Sequence, residues 1–349
     1  TNLVLQAVEK GGAEFAFDSY SKNNGIHLTR SSDVRFVGLA FRKSAFYGIR
    51  LGSSADFGPV RGANSNVVIE HCTFDDMTQS AIKIDNGDTA ESGVTSGVTV
   101  RYNSFSNLGQ SPSEGLSSFC EAIYMGSGDR FVYINRVNDI EIHHNYFDGS
   151  GMPKTSAGEA IEAKVYCSDI HIHHNVIVDW HTGQATLGGA IALAVNAGLN
   201  IGDHVVPTSG TCGKESFLIE NNRISNTTTV ASWMGGNAIN LGHGNATIRD
   251  NIIEGSQHAA IMIKQKYEPG IQEDYFSNPN EVEVDVVGNT MIDNGTVYAV
   301  DAVNPPHQAK IRSVDNRCSN AEDYPTVGIK WLAQRDQWKY INARRRGNR

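Results

Sequence analysis

Apolar and polar residues alternate along this chain in short bursts, and the bursts recur as one template. The clearest copy reads Ile140-Glu141-Ile142-His143-His144-Asn145-Tyr146-Phe147 and closes on Glu159-Ala160-Ile161-Glu162-Ala163-Lys164. A period of two over four to eight residues marks half-buried strands, and no long stretch carries the helical period. Earlier copies open at Val34, Val67 and Val98. They close on Gly48-Ile49-Arg50-Leu51, Ala81-Ile82-Lys83-Ile84 and Glu121-Ala122-Ile123-Tyr124-Met125. A later copy opens at Ile170 and closes on Ala190-Ile191-Ala192-Leu193; others surround Asn222, Asn251 and Asn289, with a degenerate one at Asn316. From Cys72 onward the marker position recurs at intervals of 27 to 47 residues, as a short core with insertions near 107–119, 195–214 and 265–280 would require.

Short β-branched strands that repeat without hairpin dipeptides between partners predict parallel stacking of coils. The asparagine suits a turn that tolerates left-handed backbone, where its side chain bonds the backbone of neighbouring coils. The fixed leucine frame of a leucine-rich repeat is missing, and the spacing is too irregular for propeller blades. The prediction is an all-β chain, a right-handed parallel β-helix of about nine coils over residues 1–318. Residues 319–349 follow as a C-terminal capping segment and basic tail.

Composition agrees with a globular solenoid: 40% of residues are hydrophobic, 19% are charged and 35 are glycine. No apolar run approaches the ~18 residues of a membrane span, so a membrane partner is not expected. The five cysteines show no zinc spacing and are too few for a disulfide scaffold; one or two bridges would suit a secreted protein. The net charge of −9 divides unevenly. Seven basic residues and one acid give the segment from Lys330 to Arg349 a local +6, leaving −15 on the rest (−9 − 6). An acidic body argues against nucleic acid as the partner. It leaves room for an acidic polysaccharide, because a bound divalent cation inverts the local field.

In stacked coils, equivalent residues lie about 4.8 Å apart and form columns. Aligning the closing segments gives Tyr47, Ser80, Glu121 and Glu159 in one column, Arg50, Lys83, Tyr124, Glu162, Ala192 and Asn240 in a second, and Asp85, Lys164 and Lys264 in a third. Apolar residues between them point inward, so the latter two columns are expected to face out. Glu121 and Glu159 should be neighbours, and two stacked carboxylates repel unless one is protonated or a cation lies between them. Calcium suits such oxygen ligands.

Gly158-Glu159-Ala160-Ile161-Glu162-Ala163-Lys164 resembles the closing-strand motif of the β-helical polysaccharide lyases that include chondroitinase B and alginate lyases. In that family a glutamate that helps hold calcium precedes a basic lysine by five positions. The resemblance implies Glu159 as a calcium ligand and Lys164 as the base; Glu121, stacked beside Glu159, is added here as a second ligand. The family's arginine on the following coil is replaced by Gly189-Ala190-Ile191-Ala192-Leu193-Ala194, so Tyr124, Tyr166 or His181 would have to supply the acid. Glu162 joins the catalytic candidates. Arg50, Lys83, Tyr166, Asn240 and Lys264 are candidate contacts to an acidic polysaccharide.

The expected function is calcium-assisted β-elimination on a uronic-acid-containing polysaccharide by a secreted enzyme. A free lysine is too basic for that task and flanking glutamates raise it further, so Lys164 would work only with the cation in place. Two alternatives stand beside it: a glycoside hydrolase using a glutamate pair, or a non-catalytic carbohydrate-binding adhesin. Glu162 and Lys164 also read as a solvated ion pair, and the doublets His143-His144 and His173-His174 as surface turn residues.

Overall fold

The computed structural model describes residues 3–9, 12–16, 25–43, 47–52, 62–85, 93–110, 120–126, 137–153, 158–164, 167–182, 188–193, 216–230, 235–242, 244–266, 283–303, 310–318, 329–331 and 344–346. Among these there is no helix, and no helix long and apolar enough to cross a membrane. Three parallel sheets of eleven, ten and ten strands run the length of the molecule. Each coil contributes one strand to each sheet and pairs only with the coils before and after it. The fold is a right-handed parallel β-helix, the hand that twisted parallel strands impose on their crossovers.

The described residues form ten complete coils, and Arg344–Arg346 adds a strand of an eleventh. The coil that sequence periodicity does not reveal is the first, made of Leu3–Gln6, Ala13–Ala16 and Ile26–Leu28. It has no marker asparagine, and Leu3, Val4 and Leu5 are exposed. Within the tail, Ile329–Trp331 pairs with Thr296–Val303, and Arg344–Arg346 pairs with Lys310–Val314. The rest of the tail and most of the large insertions lie outside the described residues.

Inside the coils, like stacks on like. Phe15, Phe41, Phe74, Phe105 and Phe147 form one ladder, with near-parallel rings and centroids 5.0, 5.0, 5.1 and 4.6 Å apart. A second ladder runs through Asn103, Asn145, Asn175, Asn222, Asn251, Asn289 and Asn316. The Asn145 amide N–H and side-chain Nδ2 both donate to Asn175 Oδ1 at 3.0 Å, and the unit repeats at Asn175 to Asn222. Buried amides are thereby satisfied at the corners between the first and second sheets from Asn103 to Asn316.

The left-handed residue at that corner is not the asparagine. It is the residue before it: Tyr102, His144, His174, Asn221, Asp250 and Asp315, and His71 before Cys72 in the same place, all have φ between 54° and 56°. Placing the strain one residue earlier lets the asparagine side chain turn inward and join the ladder. Three of the five cysteines, Cys72, Cys120 and Cys167, are buried in the coil interior and form no disulfide.

Candidate functional site

The register of the third sheet reproduces the columns aligned from the sequence. Arg50 pairs with Lys83, Lys83 with Tyr124, Tyr124 with Glu162, Glu162 with Ala192, Ala192 with Asn240, and Asn240 with Met262. Glu121 and Glu159 stack on successive coils, since Ala122 N donates to Glu159 O at 3.1 Å just as Ala81 N donates to Glu121 O at 3.2 Å. Gly158 must be a glycine here, because a Cβ would lie 2.0 Å from Cys120 O.

One expectation is corrected. The outward columns are not solvated: Lys83 and Glu162 are each 3% exposed, and Arg50, Glu121, Glu159 and Lys164 are 7–8% exposed. The Glu162–Lys164 contact is therefore a buried ion pair and not a surface one. Among groups removed from water, each charge must be met by a partner or give up its charge.

Glu121, Glu159 and Glu162 each offer a carboxylate oxygen within 4.8 Å of the others. Ser80 Oγ donates to Glu121 Oε2 at 2.8 Å, and Lys164 Nζ donates to Glu162 Oε1. Glu162 Oε2 is buried and takes no hydrogen bond among the described residues. Burial, reinforced by the charges of Glu162 and Glu121, pushes the Glu159 carboxyl well above the usual range. Burial raises Glu162 as well, against the pull of Lys164. Three converging carboxylates with an unpaired buried oxygen fit a hard, oxygen-preferring cation such as calcium.

Two lysines flank the trio and are tuned in opposite directions. Burial lowers the Lys83 pKa to about 7, outweighing the pull of Asp85, Glu121 and Glu162. Lys83 Nζ donates to Gly126 O and lies 3.1 Å from the centre of the Tyr124 ring. Burial also acts to lower Lys164, but Glu162, Glu159 and Glu121 together raise it above the ordinary lysine value. Its Nζ is 5.4 Å from the same ring. Tyr124 thus stands between an amine disposed to lose its proton and an ammonium disposed to keep it. It is the half-buried member of an otherwise buried column segment.

The remaining candidates are spread out. Arg50 lies beside Lys83 but is engaged by Asp85 at 2.9 Å. Asn240 is fully buried two coils beyond Glu162, about 10 Å at ~4.8 Å per coil. Lys264 is a further coil away, paired through its backbone with Asp301. Tyr166 lies outside the described residues. His181 is buried and bridges Thr228; its neighbour Trp180 donates to Gly158 O at 3.1 Å, which brings this stretch of chain to the Glu159 end of the trio. Ser80 and Asp85, absent from the sequence candidates, are integral to the site. Their places in the first and third columns carry the signal, but nothing there marks them as buried partners.

No family model matches this sequence, and no curated protein does. Solved structures do. The alginate lyase from Paenibacillus sp. str. FPU-7 superposes with a TM-score of 0.55 at 15% identity, over 95% of this chain and 83% of its own. The tailspike protein of E. coli bacteriophage HK620, solved with a pentasaccharide, gives a TM-score of 0.48 at 13% identity, over 91% of this chain and 47% of its own. At these identities the likeness is one of architecture, and what it adds is that the whole described solenoid follows the β-helix fold of an alginate lyase.

Proposed function

We propose that this β-helix is a polysaccharide lyase that cleaves a uronic-acid-containing chain by β-elimination, with calcium held by Glu121, Glu159 and Glu162. The observation that carries this reading is the buried carboxylate trio flanked by two oppositely tuned lysines around Tyr124. The alginate lyase likeness supports the choice of reaction class only through the shared fold. Secretion belongs to the same proposal, since such polymers lie outside cells.

β-Elimination removes the proton at C5, breaks the C4–O bond and leaves a C4=C5 double bond, while the departing oxygen gains a proton. A base works best with a pKa near the working pH. Environments that push two groups apart assign the roles of base and acid. Lys83, with a pKa of about 7, is therefore the base favoured by its surroundings, whereas the sequence resemblance favours Lys164. Lys164 remains the ammonium that counters the trio, and the Tyr124 hydroxyl is the proton donor to the leaving oxygen. Calcium on the trio would neutralise the substrate carboxylate and so ease removal of the C5 proton.

The test is ultraviolet absorbance of the conjugated double bond on alginate, pectate, chondroitin and dermatan sulfates and glucuronans, with calcium or with chelator. Calcium-dependent signal that disappears in Lys83→Ala supports the reading. Signal that survives Lys83→Ala but not Lys164→Ala returns the base to Lys164. New reducing ends without the double bond would mean a hydrolase, and no new ends would mean a binding protein.

A further inference from the structure

A second cluster lies at the corner between the first and second sheets, away from the third sheet that carries the trio. Its members are His143 and His144 on one coil and His173 and His174 on the next, neighbours in the register of the first sheet. The rings stack in two columns, His143 on His173 at 4.7 Å and His144 on His174 at 5.0 Å, each pair nearly parallel. Within each coil the two Nδ1 atoms face each other at 2.8 Å. His143 is buried, whereas His144 and His174 are open to solvent at the left-handed corner.

Three features separate this cluster from an ordinary surface turn. First, His143, His144 and His173 each present a nitrogen within 4.8 Å of the others. Second, His173 Nε2 is held by Glu141 Oε1 at 3.0 Å. That bond keeps the proton on Nε2 and leaves Nδ1 as the ligand nitrogen, which must give up its contact with His174 Nδ1 to bind an ion. Third, the Nδ1 atoms of His143 and His144 face each other at 2.8 Å, so one ion could take the place of the proton between them. Imidazole nitrogens suit first-row transition metals, and copper(II) stands highest in their affinity order.

We propose that His143, His144 and His173 form a site for a divalent transition metal, copper(II) foremost, with Glu141 positioning His173. The ion would displace the proton shared between His143 and His144. It would then tie two successive coils together at their exposed corner. His174 stacks against His144 and closes the second rung. This site is independent of the carboxylate trio, and the donor sets differ in kind: soft-tolerant nitrogens here, hard oxygens there.

The experiment titrates chelator-treated full-length protein with copper(II), and separately with nickel(II), by calorimetry. Copper(II) is also followed by electron paramagnetic resonance. The expected result is one copper(II) per chain, with hyperfine structure from more than one nitrogen. His144→Ala, at an exposed position, should weaken binding at least 10-fold while leaving the metal-free melting temperature unchanged. Glu141→Gln should weaken it by roughly 10- to 100-fold. Lyase turnover with calcium should be the same in these variants and the parent, so failure here is distinguishable from failure of the lyase reading. Copper(II) binding that is unchanged in His144→Ala, or that shows no coupling to multiple nitrogens, would overturn the proposal. So would the absence of saturable binding.

Discussion

The third sheet presents two halves of one column with the same backbone and different chemistry. In the second to fifth coils the fourth closing position holds Arg50, Lys83, Tyr124 and Glu162; in the sixth to ninth it holds Ala192, Asn240, Met262 and Ala299. Both halves pair in parallel, in register and largely buried. The difference teaches that the solenoid's stability comes from ladders that run through both halves, such as the asparagines from Asn103 to Asn316. Chemistry is therefore free to concentrate in the few coils whose outward positions carry charge. A charged column can be buried only where its members meet one another, and this is the case for Arg50 with Asp85 and Glu162 with Lys164.

Several substitutions would break or sharpen that contrast. The largest effect is expected at the charged half: Lys83→Ala should lower turnover by about 10²- to 10⁴-fold, the range for loss of a general base. Initial rates of double-bond formation measure it, and an equal loss in Asn240→Ala would erase the distinction between the halves. Next is the shared ladder. Asn175→Ala removes an acceptor for Asn145 and donors to Ile142 O and His173 O, so it should destabilise by about 1–3 kcal/mol in denaturant unfolding. The reaction should otherwise persist.

The pH dependence separates the halves further. Lys83 titrates at about 7 when folded, so kcat/KM should rise through pH ~7 as the amine loses its proton; Lys83→Arg should abolish that limb. Glu159 and Glu162 titrate above the usual carboxylate range. The folded state therefore holds protons that the unfolded state has released, and their stabilisation is lost as pH rises through the folded pKa values. Calcium should accordingly raise the melting temperature more at pH ~8 than at pH ~5. An equal calcium effect at both would remove the trio as its site. The smallest effect belongs to the apolar half: Met262→Leu, a near volume-conserving change, should cost less than about 1.5 kcal/mol and leave activity intact.

How much of this was legible beforehand differs between fold and site. The period of two, the marker asparagines and the absence of hairpin turns sufficed for a parallel solenoid. Once the closing segments are aligned, identical pairing between coils makes Glu121 a neighbour of Glu159 and Tyr124 a neighbour of Glu162. The first coil escaped because an end coil needs only one buried face and can dispense with the asparagine. The left-handed corner residue was displaced by one position because propensity names asparagine for such a φ, whereas the inward ladder needs its side chain elsewhere.

What the chain by itself determined is register: which side chains stack on which, because every coil repeats the same local pattern. What only the tertiary structure decided is environment. Lys83 and Lys164 are the same residue type on neighbouring columns, yet burial prevails at one and nearby carboxylates at the other. Likewise, the two histidine doublets differ from other turn residues only once Glu141 is seen to hold His173. Proton affinity and ligand geometry depend on the local dielectric and on partners one coil away, and the order of residues along a single strand encodes neither.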